Sequence, residues 1–232
     1  PDFHNGNEVS DYDRVMSFLE LVDDDADEFL ILGDFEELLW SNMNILATVK
    51  PYRYITEKVK AIAQKKHVAY VIGNHDWNIG LFASQIEPVK IVSPFAENGV
   101  YYTHGHEFDW LSLITGTFVD PIYWKQALPF IAPWAFPMWI MTRLWAKSED
   151  TYHWGISLIH EKARDYAVKH GYHTVILGHT HFPVAEVRGG VQIYNDGDML
   201  DSYSYLVQEN GRIELKYFSN SSGVSNPLIS LV

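Results

Sequence analysis

The chain has 232 residues, 47% hydrophobic and 20% charged, a length and composition that suit one α/β domain with insertions. It contains no cysteine, which excludes a disulfide framework and thiolate metal sites and leaves any coordination to histidine and carboxylate. A net charge of −13 opposes the phosphate backbone of nucleic acids, so no nucleic-acid partner is expected, and no basic-then-apolar leader marks a signal peptide, which agrees with a cytoplasmic location.

In chain order, Val9, Tyr12, Val15, Met16, Leu19 and Val22 recur at helical spacing over residues 8–22. The acidic run Asp23 to Glu28 follows. It lacks the spacing and glycine of a calcium loop and reads as a solvated helix-to-strand turn. Strand 29–32 comes next, then helices over 35–49 and 52–65 broken at Pro51, strand 67–72, a short helix near 78–86, and strands near 89–92 and 99–103. A long helix over 151–170 closes at Gly171. Strands are expected over 173–177, 182–188, 190–195, 203–208 and 212–218, with Gly189-Gly190 and Asn210-Gly211 as hairpin signals.

Residues 110–154 hold six of the eight tryptophans, and Gln126 to Thr142 is uncharged over seventeen residues. That run is short of the roughly 20 residues a membrane span requires, and Pro129, Pro133 and Pro137 interrupt it. The insertion over 110–150 is expected to form a short-helical, aromatic-rich cap that touches an apolar substrate, a partner or a membrane surface peripherally. A buried core insert is the alternative.

Five short patterns carry the chemistry: Asp2-Phe3-His4, Gly33-Asp34-Phe35-Glu36-Glu37, Gly73-Asn74-His75-Asp76, His104-Gly105-His106 and Gly178-His179-Thr180-His181. Together they supply the carboxylate, amide and imidazole donors that divalent transition metals take. Four of the five follow an apolar run that reads as a buried strand, and sites in α/β sheets gather at the carboxyl ends of strands. The other histidines read differently. His67, His170 and His173 flank strands, His153 and His160 lie on the long helix, and His106 is open between substrate contact and loop residue.

The five patterns, in this order, resemble those of the calcineurin-like metallophosphoesterase superfamily. The resemblance implies a four-layer α-β-β-α sandwich over residues 1–232 with the cap inserted in it. It implies two divalent metal ions, with manganese, iron and zinc the foremost candidates. One ion would take Asp2, His4, Asp34 and His181; the other would share Asp34 and add Asn74, His104 and His179. A hydroxide between them would attack phosphorus while His75, oriented by Asp76, protonates the leaving oxygen; Glu37 would hold ligands in place. The expected activity is hydrolysis of phosphodiesters or diphosphate-linked esters, on a small-molecule or lipid substrate. Phosphomonoesterase activity and a catalytically silent metal-binding scaffold are the alternatives.

The insert's place and the stretch Tyr194-Asn195-Asp196-Gly197-Asp198 are also similar to the UDP-diacylglucosamine pyrophosphohydrolase branch, although that branch typically has Arg where His75 stands. Finally, the apolar run Leu228 to Val232 is β-prone, as a strand preceding Asp2-Phe3-His4 should be. This raises the expectation of a circular permutation, against the alternative that a strand lies upstream of Pro1.

Overall fold

The computed structural model describes residues 1–7, 11–39, 41–109 and 149–219. Residues 110–148 of the cap insertion expected over 110–150, and the 228–232 run expected to fill the first-strand position, lie outside the described residues.

Two sheets pack face to face. The first is parallel, in the order β1 (Glu28–Ile31), β2 (His67–Val71), β3 (Lys90–Val92). The second runs β4 (Phe95–Glu97), β5 (Val100–Tyr102), β6 (Thr174–Leu177), β8 (Val191–Asn195), β7 (Val184–Arg188), with β5, β6 and β8 mutually parallel. A separate hairpin, β9 (Ser204–Glu209) with β10 (Arg212–Tyr217), sends Leu206 and Ile213 into the space between the sheets.

The layering follows from strand periodicity, because successive side chains point to opposite faces. On the first sheet Phe29, Ile31, Val68 and Tyr70 face outward. They pack under α1 (Tyr12–Asp25) and α3 (Lys50–Ala63), which contribute Val15, Phe18, Leu19, Ile55, Val59 and Ile62. The alternate residues Leu30, Leu32 and Val71 turn inward and meet Val100, Tyr102 and Ile176 of the second sheet. Beyond the short α4 (Ala83–Ile86) in the chain, on the far face, Tyr101, Val175, Leu177, Val191 and Ile193 pack against α5 (Glu149–His170), where Ala163 and Ala167 let the helix lie close. The result is the expected α-β-β-α sandwich.

Element boundaries differ from expectation mainly near the site. Only α2 (Met43–Thr48) forms within the helix expected over 35–49, capped by Asn42, whose side chain accepts from Asn44 N and Ile45 N. Residues 35–37 instead bond the segment 2–5: Asn5 N donates to Phe35 O and Glu37 N to Asn5 O. The helix break falls at Val49, with Pro51 inside the first turn of α3, where its missing N–H costs nothing. β4 was not expected; three residues ending in Asn98-Gly99, both at positive φ, form a hairpin with β5. In the acidic run, Lys58 and Lys65 pair with Asp23 at 2.8 and 2.9 Å, so lysine ammonium groups take the place a calcium ion would have.

Candidate metal centre

The four strand ends β1, β2, β5 and β6 deliver Asp34, Asn74, His104 and His179 to one edge of the sandwich. Residues 2–5 lie alongside. Phe3 N and His4 N donate to Asp34 O at 3.1 and 2.8 Å, and Asp2 makes a parallel bridge to Asp198. All seven residues expected as ligands converge here. His4, His104 and His181 present Nε2 inward: His4 Nε2 lies 3.1 Å from His181 Nε2, and His104 Nε2 lies 3.2 Å from Asp34 Oδ2 and 3.0 Å from Asn74 Oδ1. His181 Nε2 is 3.5 Å from Asp2 Oδ2. Asp2-His4-His181 and Asp34-His104-His179 each bring three donor atoms within 4.8 Å of one another, with Asp34 also grouped with His4 and His75.

The tautomers show why this arrangement calls for positive charge. His104 Nδ1 donates to the Leu32 carbonyl at 2.7 Å, His4 Nδ1 to Glu37 Oε2 at 2.9 Å, and His181 Nδ1 to Asp198 Oδ2 at 2.9 Å. In each ring Nε2 is then the lone-pair nitrogen, and these lone pairs face each other and carboxylate or amide oxygens. Only a proton or a cation between them makes that stable. Buried Asp2 Oδ1 has no hydrogen-bond partner among the described residues and adds an unspent acceptor. The donor set of carboxylates, amide and imidazoles fits a pair of divalent cations.

Backbone geometry tightens the fit. His4, Asp34, His179 and His181 have φ of 47, 49, 68 and 55°, a left-handed conformation that costs a non-glycine residue about 1–3 kcal/mol. The neighbouring glycines make room for the ligands: a Cβ at Gly178 would stand 2.6 Å from Asp2 Oδ1, and one at Gly73 would collide with Asp34 Oδ1. Gly73→Ala is therefore expected to displace Asp34 and cost about 1–3 kcal/mol of stability. Melting temperature and bound-metal content should fall together; wild-type values for both would show that the loop adjusts freely.

Asp76 does not do what was expected of it. Its Oδ1 accepts from Gly73 N at 2.6 Å, and its Oδ2 accepts from Phe35 N at 2.9 Å and from the Tyr70 hydroxyl. It makes no hydrogen bond to His75. The fully buried carboxylate instead staples the Gly-Asn-His-Asp loop to the Gly-Asp loop, and burial raises its pKa. The partner of His75 is Glu37, whose two oxygens lie 3.0 and 2.9 Å from Nδ1 and which also holds His4. Burial works against charge on Glu37, yet the hydrogen bonds from His4 and His75 lower its pKa to about 2. For His75, burial disfavours the proton, but Glu37 and Asp34 outweigh it and raise the pKa. His106 lies beside the site, its ring centroid 5.4 Å from that of His104.

Two residues of the centre escaped sequence reasoning. Asp198 anchors His181, and its Oδ1 is fixed by the backbone N–H groups of Leu200, Asp201 and Ser202; the Asp-Gly-Asp stretch was visible but had no role attached. Asp109 meets His179 Nε2 at 3.1 Å, and its place three residues after His106 was the available signal.

Residues 1–183 match the family model described as calcineurin-like phosphoesterase. No curated protein matches the chain. Among solved structures, Yfce, a phosphoesterase from E. coli, is 19% identical with a TM-score of 0.44, the match covering 90% of this chain and 85% of that one. A conserved uncharacterised protein of Streptococcus pneumoniae TIGR4, described as a predicted phosphoesterase, is 14% identical with a TM-score of 0.35, covering 89% and 91%. By the family model, which takes in well over half of its residues, the chain belongs to the calcineurin-like phosphoesterases, metal-dependent hydrolases of phosphoesters.

Proposed function

We propose that the protein hydrolyses phosphodiester or diphosphate-linked substrates with two divalent cations, and that His75 is its general acid. The observation that carries the reading is the convergence of lone-pair donors from seven side chains beside a histidine that is not one of them. Asp2, His4, Asp34 and His181 would hold one cation, and Asp34, Asn74, His104 and His179 the other, with Asp34 common to both. Bound there, the cations would supply Lewis-acid activation of water and neutralise charge on the phosphoryl group. Glu37 orients the His75 ring through Nδ1, and Nε2 is the nitrogen we assign to the leaving oxygen. Glu37 and Asp34 raise the pKa of that ring and so favour the protonated form that the departing oxygen needs.

A chromogenic phosphodiester assayed beside the matching monoester, with added Mn2+, tests the substrate class. Diester turnover above monoester turnover is expected; monoester turnover alone would overturn the diesterase reading. His75→Ala should keep both cations and lose roughly 10²–10⁴-fold in rate on esters with poor leaving groups, and much less on a nitrophenyl ester. An equal loss across a leaving-group series would leave His75 with charge stabilisation only.

The lipid-linked diphosphate reading rests on the insertion and on the Asp196-Gly197-Asp198 stretch. Of these, the structure describes only the second, and Asp198 serves there as the anchor of His181. Among the described residues no helix is long and apolar enough to cross a membrane. We take the site of action to be the cytoplasm, with any membrane contact made through the insertion.

A further inference from the structure

Four imidazoles line the centre, and three of them are backed in the same way, with Nδ1 held from behind by Glu37, Leu32 O or Asp198. His179 is the exception. Its Nε2 is the nitrogen held, by Asp109 Oδ2 at 3.1 Å. An ionised carboxylate only accepts, so this contact places the His179 proton on Nε2 and its lone pair on Nδ1; His179 is also grouped with Asp34 and His104. Asp109 is itself held in place. Its N–H donates to His106 O at 3.1 Å, and the preceding residue, Phe108, is buried with its ring centroid 5.7 Å from that of Tyr166 on α5.

We propose that Asp109 is a positioning residue for one cation of the pair, the one held by Asp34, Asn74, His104 and His179. It fixes the His179 tautomer and ring orientation and makes the imidazole a stronger donor. The other cation, whose histidines are anchored by Glu37 and Asp198, does not depend on it. The inference rests on the two-cation reading proposed above, and the experiment separates the two.

Mn2+ is titrated calorimetrically into the full-length chain, after chelator treatment, for the wild type, Asp109→Ala and Asp109→Asn. The wild type should take up two equivalents. Asp109→Ala should weaken one of them about 10–100-fold and leave the other within about twofold. Asp109→Asn keeps an acceptor for Nε2–H while losing the charge, so it should recover part of the loss. The cation-free melting temperature should be unchanged in both variants, an outcome that packing alone would not give. Two equivalents of wild-type affinity in Asp109→Ala, or a parallel weakening of both, would overturn the assignment while leaving the two-cation reading intact. A wild type that takes up no Mn2+ would sink that reading, and the role of Asp109 with it.

Discussion

Asp34→Ala should abolish phosphoester hydrolysis and empty both cation positions. Asp34 lies among His4, His75, His104 and His179 within coordinating reach, so its carboxylate is the one negative group that both cations would share. Burial disfavours its charge, but His104, His75 and His4 around it lower its pKa and keep it ionised. The side chain also has a second duty, because Oδ1 accepts from His75 N at 2.8 Å and so positions the loop that carries Asn74 and His75. Losing the shared ligand and the loop anchor together should cost about three orders of magnitude or more in kcat/KM. Asp34→Asn separates the duties. Its amide oxygen can still accept from His75 N, so that variant should fold like the wild type and fail only in cation content. Elemental analysis showing two full equivalents of metal in active Asp34→Ala protein would end the assignment.

Cation affinity should climb steeply with pH, by about 100-fold per unit near neutrality. In the cation-free protein burial opposes a proton on His104, but Asp34 and Asp2 raise its pKa to about 10. His181 is likewise raised to about 9, against burial, by Asp198 and Asp2. At pH 7 both rings therefore carry protons on the nitrogens the cations need. Two protons must leave for the centre to load, which gives the two-proton slope. The slope should flatten as pH passes 9 and then 10. Stability of the empty protein has the opposite trend. A histidine whose pKa is raised on folding contributes stability that is full below 6.5 and is lost as pH rises towards the folded value. The empty protein should thus weaken from pH 6.5 to about 10, over the range in which the loaded protein gains. Calorimetry at pH 7.5 in buffers of different ionisation enthalpy counts the protons released; release of none would contradict the scheme.

The candidate ligands were legible because a strand end is a local pattern. Each apolar run of three to five residues predicts where the backbone stops being paired, and the second residue beyond it is a candidate ligand in four of the five motifs. The strand positions followed from the same apolar runs. What was not legible depends on contacts between distant segments. Asp76 follows His75 directly, so sequence adjacency suggested a pair, yet its carboxylate turns to the amides of Gly73 and Phe35. Glu37, 38 residues from His75, takes the position instead. In the first part of the helix expected over 35–49, amides and carbonyls are spent instead on Asn5 and on the Gly-Asn-His-Asp loop, where Leu38 N donates to His75 O at 3.1 Å. Asp198 and Asp109 act only through rings that they meet in three dimensions.

The span of the centre along the chain also dictates when it can exist. The amide of His179 donates to Asp2 Oδ2 at 2.9 Å across 177 positions. A ribosome making this protein must therefore release residue 181 before the metal pocket can close. Most of the apolar cluster under the first sheet comes from residues 3–89, with Met199 and Tyr203 joining it from the far end of the chain, so this part can begin to collapse while the rest is still being synthesised, as N-terminal units do. The metal pair proposed above would then bind after both sheets have formed, and a nascent chain stalled short of Gly178 would lack His179 and His181 and should hold metal far more weakly.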